Sequence, residues 1–206
     1  MRTILTLAAG LAMTLALAAC QKPAATAVTS DDMSLGNPAA KVTVIEYASV
    51  ACPFCAQWNN TVYPAFKAKY IDSGKVRYIA REALTGEPTA LAAAGFLTAR
   101  CAGKDKYFQV VDAIYHDQQE AQSGQTREVL LKIAKAAGLS EARFDACITD
   151  PKALTALNAR WQRYVQDDKI TGTPTFIING KTYTDPPTLA EMDTAIAEAQ
   201  GAGKPR

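Results

Sequence analysis

The chain has 206 residues, of which 49 % are hydrophobic and 20 % are charged, and its formal net charge is +2. This length suits one buried core with an elaboration and is short for two full domains. Lys, Arg, Asp and Glu are interspersed without a basic block or an acidic tail, which argues against a nucleic-acid partner.

The N-terminus has the organisation of an export signal. A short basic start precedes an apolar stretch of about 16 residues at 4–19, which is short for a membrane span. The stretch ends in Leu-Ala-Ala-Cys, which resembles the bacterial lipobox. We therefore predict a signal peptide at residues 1–19 and lipidation of Cys20. The alternative is an ordinary secretory signal that is cut after Ala18 or Ala19, and both interpretations predict export.

The segment that follows Cys20 is predicted to be a flexible tether over residues 20–34, because it is small and polar and has no apolar periodicity. A turn cluster at residues 35–40 would lead from it into the fold. Export also places the chain in an oxidising compartment, where disulfides persist. Four cysteines remain once Cys20 is set aside, and an even number allows all of them to pair.

A β-α-β unit is predicted next. Residues 41–47 are rich in Val and Ile, as expected of a buried strand, and apolar residues at helical spacing follow from about residue 56. A second strand is predicted at residues 75–81 after a glycine turn. Strands joined by a helix in this way are parallel.

The motif Cys52-Pro53-Phe54-Cys55 lies between the first strand and the helix. A helix N-terminus presents unpaired N–H groups and a partial positive charge, and both favour a thiolate. Cys52 is therefore predicted to be the more exposed and more acidic thiol, which attacks or is attacked, and Cys55 the shielded thiol that resolves. Thiol–disulfide exchange is the leading hypothesis from these residues.

The pattern then changes to Ala-rich amphipathic segments, which predict four or five helices between about residues 87 and 168. Strand residues return at 175–178, and an Asn-Gly turn leads to a second short strand at 181–183. This is a strong hairpin signal. A last helix is predicted at residues 189–199, followed by a frayed tail.

Cys101 and Cys147 fall in the helical segment, about 46 residues apart. In an oxidising compartment they are predicted to form a structural disulfide, which would contribute about 3–4 kcal/mol by restricting the unfolded chain. The alternative is a pair of separate buried cysteines that pack as small hydrophobic residues.

The strand, dithiol motif and helix are joined far downstream by a Thr173-Pro174 dipeptide that opens the antiparallel hairpin. This combination resembles the DsbA-like thiol:disulfide oxidoreductases, which have a thioredoxin-like α/β fold with a helical domain inserted between its β-α-β and β-β-α halves. The domain boundaries that follow are a signal peptide at 1–19, a lipidated tether at 20–34, the N-terminal half at 35–86, the inserted helices at 87–168, the C-terminal half at 169–200 and a tail at 201–206.

The resemblance also implies roles for residues outside the dithiol. In the family, a cis-proline loop faces the two cysteines and the residue before the proline pairs with an extended client peptide. These positions correspond to Pro174 and Thr173. Glu46 occupies the place of a buried acidic residue that moves the proton of the inner cysteine. The simpler interpretation of Glu46 is an exposed strand carboxylate.

One residue departs from the most strongly oxidising relatives, which carry His where this chain has Phe54. A phenyl ring donates no hydrogen bond and carries no charge, so we expect an intermediate reduction potential. Thr173, at the position before the proline where strongly oxidising relatives often have Val, is similar to the residue found in isomerases and reductases of the family. The oxidase direction is favoured, because isomerases dimerise through a sizeable N-terminal domain that the short tether leaves no room for. A monomer is expected.

Two function classes follow from the sequence. The first is an envelope enzyme, facing the periplasm on a lipid anchor, that exchanges disulfides with exported proteins and is recycled by a membrane redox partner. The second is a lipid-anchored peptide-binding or holdase module without redox turnover. One histidine and a single Cys-x-x-Cys argue against structural zinc, and motifs for nucleotide binding or a serine hydrolase are absent, so no metal or cofactor is expected.

Overall fold

The computed structural model describes residues 27–201. The predicted signal peptide and Cys20 lie outside this range. In chain order the elements are β1 Met33–Gly36, β2 Val42–Ala48, α1 Pro53–Thr61, α2 Tyr63–Phe66, a π-helical turn Lys67–Ile71, β3 Val76–Glu82, α3 Thr89–Cys101, α4 Tyr107–His116, α5 Gln118–Glu120, a second π-helical turn Ala121–Gln125, α6 Thr126–Ala136, α7 Glu141–Ile148, α8 Pro151–Asp167, β4 Thr175–Ile178, β5 Lys181–Tyr183 and α9 Leu189–Gly201.

The strands form one mixed sheet in the order β1-β3-β2-β4-β5. The central pair β2 and β3 is parallel, and every other neighbouring pair is antiparallel. The parallel pair is the product of the β2-α1-β3 crossover, and the tight turn at Asn179 and Gly180, both with positive φ, makes the β4–β5 hairpin. The thioredoxin-like fold predicted from the sequence is confirmed.

The two faces of the sheet are covered by different elements. One face packs under α1, α2 and α9, where Trp58 contacts Phe176 with ring centroids 4.6 Å apart and ring planes tilted by 54°. On the other face, Tyr47 of β2 meets Tyr164 of α8 edge to face at 5.4 Å. β2 is buried on both faces, and five of its seven residues are aliphatic or aromatic, as expected of a central strand.

Helices α3 to α8 interrupt the thioredoxin-like frame between β3 and β4 and share a separate apolar core. The sequence predicted four or five helices here; the structure has six, one of which, α5, is a single turn. A disulfide between Cys101 at the end of α3 and Cys147 in α7 joins two of them. Of these helices, α8 also packs against the sheet through β3.

The predicted tether requires a correction at its C-terminal end. Residues 33–34 belong to β1, which pairs with β3, and Asp32 is 7 % exposed. The side chain of Arg81 donates to both carboxylate oxygens of Asp32, at 3.0 and 3.2 Å, and to the carbonyl of Ala27 at 2.8 Å. The described part of the tether is therefore docked on the fold. No periodic pattern in the sequence indicates this docking, because the contacts are made by single polar residues.

Within residues 27–201, no helix combines the length and apolar character that a membrane crossing requires.

Candidate active site

The dithiol motif lies where the sequence placed it, at the junction of β2 and α1. Cys52 is the N-cap residue of α1, Pro53 is at its first position, and Cys55 lies in its first turn. Cys52 keeps 6 % of its surface exposed, whereas Cys55 keeps none. Both cysteines are free thiols here. The accessible sulfur is thus at the helix terminus and the shielded one lies behind it.

The environment separates the acidities of the two thiols. A hydrogen bond from the Cys55 thiol lowers the pKa of Cys52 most, with further help from Thr173 and from the backbone N–H groups of Cys55 and Phe54, and the pKa falls to about 5 despite partial burial. Burial raises the pKa of Cys55 well above its usual range, and the neighbouring Cys52 raises it further. At neutral pH Cys52 is a thiolate and Cys55 holds the proton.

The Thr173–Pro174 loop faces the dithiol. The peptide bond between these two residues is cis, and Sγ of Cys52 lies 3.3 Å from the Thr173 carbonyl oxygen, which accepts a hydrogen bond from the thiol when Cys52 is protonated. The hydroxyl of Thr173 lies 2.8 Å from the hydroxyl of Thr85, which lies in the loop between β3 and α3. Thr85 was not predicted from the sequence, and a lone threonine in a loop gives no signal of its own.

Glu46 is buried rather than exposed, so the simpler interpretation of this residue is wrong. It is 4 % exposed on β2, and the hydroxyl of Tyr78 on β3 donates a hydrogen bond to its carboxylate. Burial raises its pKa to about 7, although the bond from Tyr78 acts in the opposite direction, and the nearby Cys52 thiolate adds to the rise. A cavity of about 30 Å³, the size of one water molecule, adjoins the carboxyl and is also lined by Asn59.

Two glutamines of the helical domain hold the redox loop. Gln118 is 5 % exposed and donates to the carbonyls of Val50 at 2.8 Å and Cys52 at 3.1 Å. Gln122 donates to the carbonyl of Ala51 at 2.9 Å. Sequence reasoning missed both, because they lie more than 60 positions from the loop and glutamine carries no motif.

A second loop packs directly against the redox loop. Gly86 has φ +84°, and a Cβ at this position would lie 2.5 Å from the carbonyl oxygen of Ala51. Only glycine fits such a close approach between two backbones. In the same loop the Glu87–Pro88 peptide bond is cis, like the Thr173–Pro174 bond. The active-site loop therefore contacts the backbone of the Thr173–Pro174 loop, the backbone at Gly86, and the side chains of Gln118 and Gln122.

Phe54 is the exposed apolar residue of the motif. Its side chain is 62 % exposed, whereas most large apolar residues in the described chain are buried. A solvent-exposed aromatic ring beside a reactive sulfur is available for contact with another protein.

Among residues 27–201 no group of three or more His, Cys, Asp or Glu side chains is arranged to hold a metal.

The raised pKa of Glu46 predicts a pH-dependent loss of stability in the reduced protein. The unfolded carboxyl releases its proton near pH 4.5 and the buried one near 7, so the contribution of Glu46 to stability is greatest below 4.5 and is lost as the pH rises through 7, while the lowered pKa of Cys52 acts in the opposite direction in both proteins. The contribution is about 3 kcal/mol. Glu46→Gln should remove this fall, measured by urea unfolding of both reduced proteins at pH 4.5 and 8. The same change in stability between the two pH values in both proteins would contradict the prediction. In the oxidised protein, which has no thiolate, the difference should shrink.

Comparisons with known proteins agree with this geometry. A family model described as Thioredoxin matches residues 28–198. A Rickettsia bellii protein assigned as a protein-disulfide oxidoreductase is 33 % identical over 84 % of this chain and 68 % of its own length. Its Rickettsia typhi counterpart is 36 % identical over 74 % of this chain, which spans only 56 % of that protein.

Among solved structures, alpha-DsbA1 of Wolbachia pipientis superposes with a TM-score of 0.78 and 25 % identity, covering 85 % of this chain and 94 % of that one. The matches include the sheet, the dithiol loop and the inserted helices, since they extend over nearly all of the described residues. The chain therefore belongs to the DsbA-like family of thiol:disulfide oxidoreductases.

Proposed function

We propose that this protein is an envelope thiol:disulfide oxidase that introduces disulfides into exported proteins through Cys52 and Cys55. The observation that supports this direction most is the contrast between the two thiols. Four hydrogen-bond donors stabilise the Cys52 thiolate and bring its pKa to about 5. Stabilising the reduced form makes the disulfide a stronger oxidant.

The proposed reaction has two exchange steps. A client thiolate attacks Sγ of Cys52 in the enzyme disulfide, and Cys55 leaves as a thiolate that takes up a proton. The second client thiolate then attacks the client sulfur of the mixed disulfide, and Cys52 leaves. A thiol of low pKa is a good leaving group, so Cys52 favours this second step. The client is oxidised by two electrons and the enzyme gains a dithiol.

Glu46 is proposed as the group that handles the proton of Cys55. Its pKa of about 7 allows it to hold or release a proton at neutral pH, and its charge acts on the Cys55 thiol. Catalytic proton transfer works best when the pKa lies near the working pH. Thr173 and Pro174 are proposed to pair with an extended client segment, with the exposed Phe54 as an apolar contact beside it.

The cellular setting is proposed from the sequence and the family. The DsbA-like chain would act in the periplasm, held to a membrane by a lipid on Cys20, and would be reoxidised by a membrane redox partner. A monomer is proposed. Mass analysis of the mature N-terminus tests the anchor, since a free amine at residue 21 or beyond would contradict lipidation. The holdase alternative has no support from the relatives, which are assigned as oxidoreductases.

The reduction potential of Cys52–Cys55 tests the direction. We expect a value of about −120 to −200 mV, in the range of oxidases and isomerases, by equilibration with glutathione buffers. A value near −270 mV, as in thioredoxin, would instead make the protein a reductase. Cys101 and Cys147 must be followed separately by mass spectrometry, so that the active-site titration is not mixed with theirs.

A further inference from the structure

A second cavity lies in the helical domain, remote in sequence from the dithiol. Its volume is about 320 Å³, at the lower end of the range of small-molecule sites. It is formed where α3, α7 and the start of α8 meet. Both cysteines of the Cys101–Cys147 disulfide line it. Cys101 is partly exposed, whereas Cys147 is buried with 8 % of its surface exposed, so Cys101 is the more accessible of the two. The disulfide therefore forms part of a cavity wall.

Three arginines line the same cavity, Arg100, Arg143 and Arg160. The first and third are held by Glu82, a carboxylate that is 1 % exposed and accepts from Arg100 at 2.6 Å and from Arg160 at 2.9 Å. Because one buried carboxylate fixes both side chains, their positions are set before any ligand arrives. Arg143 has no side-chain partner among the described residues.

Among the described residues that line the cavity, only Asp150 carries a carboxylate, and that carboxylate already accepts two hydrogen bonds. Asp150 is the N-cap of α8 and accepts from the backbone N–H groups of Lys152 at 2.8 Å and Ala153 at 3.3 Å. The three arginines carry three positive charges, and the carboxylates of Glu82 and Asp150 carry two negative ones. The net charge of this group is therefore +1. The Nη1 of Arg160 also has no partner in residues 27–201, so donors remain for an incoming anion.

We infer that this cavity is a site for small thiols that carry carboxylates, and that such thiols exchange there with the Cys101–Cys147 disulfide. The carboxylate would bind the arginines and bring its sulfur to the wall formed by Cys101. Guanidinium groups are suited to carboxylates because their N–H groups match the two oxygens. The inference does not depend on the function proposed for Cys52 and Cys55.

The exchange is balanced in two steps. A small thiolate attacks Sγ of Cys101, the bond to Cys147 breaks, and Cys147 leaves as a thiolate. A second small thiolate attacks the small-molecule sulfur of the mixed disulfide and releases Cys101. Two thiols become one disulfide, the two cysteines are reduced, and the two protons of the small thiols pass to Cys101 and Cys147.

The experiment compares three thiols on the full-length protein with Cys52→Ser and Cys55→Ser, so that the dithiol cannot take part. The probes are reduced glutathione, neutral 2-mercaptoethanol and cationic cysteamine, each compared per mole of thiolate. Reduction of Cys101–Cys147 is followed by alkylation and mass spectrometry. We expect glutathione to react about three- to tenfold faster than the other two, with the advantage lost at 0.5 M salt.

Two variants show whether the arginines cause the preference. Arg143→Gln should lower the glutathione rate about three- to tenfold and leave the 2-mercaptoethanol rate within twofold, while Arg143→Lys keeps most of the rate. The matched control is Arg127→Gln, which removes a charge next to α7 that pairs with Glu141 and Asp145 outside the cavity. Equal rates for the three thiols, or equal effects of Arg143→Gln on all of them, would overturn the inference.

Discussion

Replacing Cys52 by serine is expected to abolish disulfide exchange with a client peptide, lowering the rate by on the order of 10³-fold or more. Serine keeps the size of the side chain but cannot form a disulfide, and Cys55 cannot take over the attack, since it is fully buried whereas Cys52 keeps 6 % of its surface exposed. The measurement is the rate at which the oxidised protein converts a dithiol peptide to its disulfide. The circular dichroism spectrum and the melting temperature should stay close to those of the parent.

Cys55→Ser is the matched control, because it removes the other half of the pair and leaves the nucleophile. Mixed with an oxidised client, this variant should accumulate a mixed disulfide at Cys52 that mass spectrometry detects, since the resolving thiol is gone. The double variant Cys101→Ala/Cys147→Ala should retain exchange. If Cys52→Ser still binds clients tightly and the parent shows no turnover, the peptide-binding alternative would replace the proposed enzyme.

The redox half of the molecule could be predicted from the sequence because its signals are local. A Val- and Ile-rich run, a Cys-x-x-Cys at the start of an amphipathic helix and an Asn-Gly hairpin each occupy a few adjacent residues. Strand β4 begins and ends as predicted, and β2 and β3 are shifted by one residue. Thr173 and Pro174 followed from the resemblance and not from any local rule.

The parts that escaped prediction depend on contacts between distant residues. Gln118 and Gln122 hold the redox loop from the helical domain, and Thr85 reaches Thr173 across 88 positions. Polar side chains of this kind have no periodicity, so only the folded chain reveals which carbonyl or hydroxyl each one meets. The same reason explains the tether. Asp32 looks like a solvated acid in a polar run, yet it is buried because Arg81 lies opposite.

Arg81 is the centre of a buried network that connects the N-terminal segment to the sheet and to the end of α8. Its side chain is 2 % exposed and pairs with Asp32 at 3.0 Å and with Asp168 at 2.9 Å, whose side chains are equally buried. The hydroxyl of Tyr47 accepts from Arg81 at 2.7 Å and donates to Asp168 at 2.5 Å. Each carboxylate depends on the same guanidinium, so removing that group affects both at once.

Arg81→Met is therefore expected to destabilise the fold by about 3–5 kcal/mol, because it keeps most of the side-chain volume but leaves two buried carboxylates without their cation. The measurement is urea unfolding at pH 7 with both disulfides oxidised. Arg127→Met, which removes an exposed arginine, should leave stability unchanged within error.

The cause can be separated from a simple loss of packing. Adding Asp32→Asn and Asp168→Asn to Arg81→Met should recover a large part of the loss, since the stranded charges are then gone. The deficit of the single variant should also shrink in acid, because burial raises the pKa of Asp168 and a protonated carboxyl costs less to bury than a carboxylate. A loss below about 1 kcal/mol in the single variant, typical of an exposed ion pair, would mean that residues 27–34 are held to the fold by contacts other than Arg81.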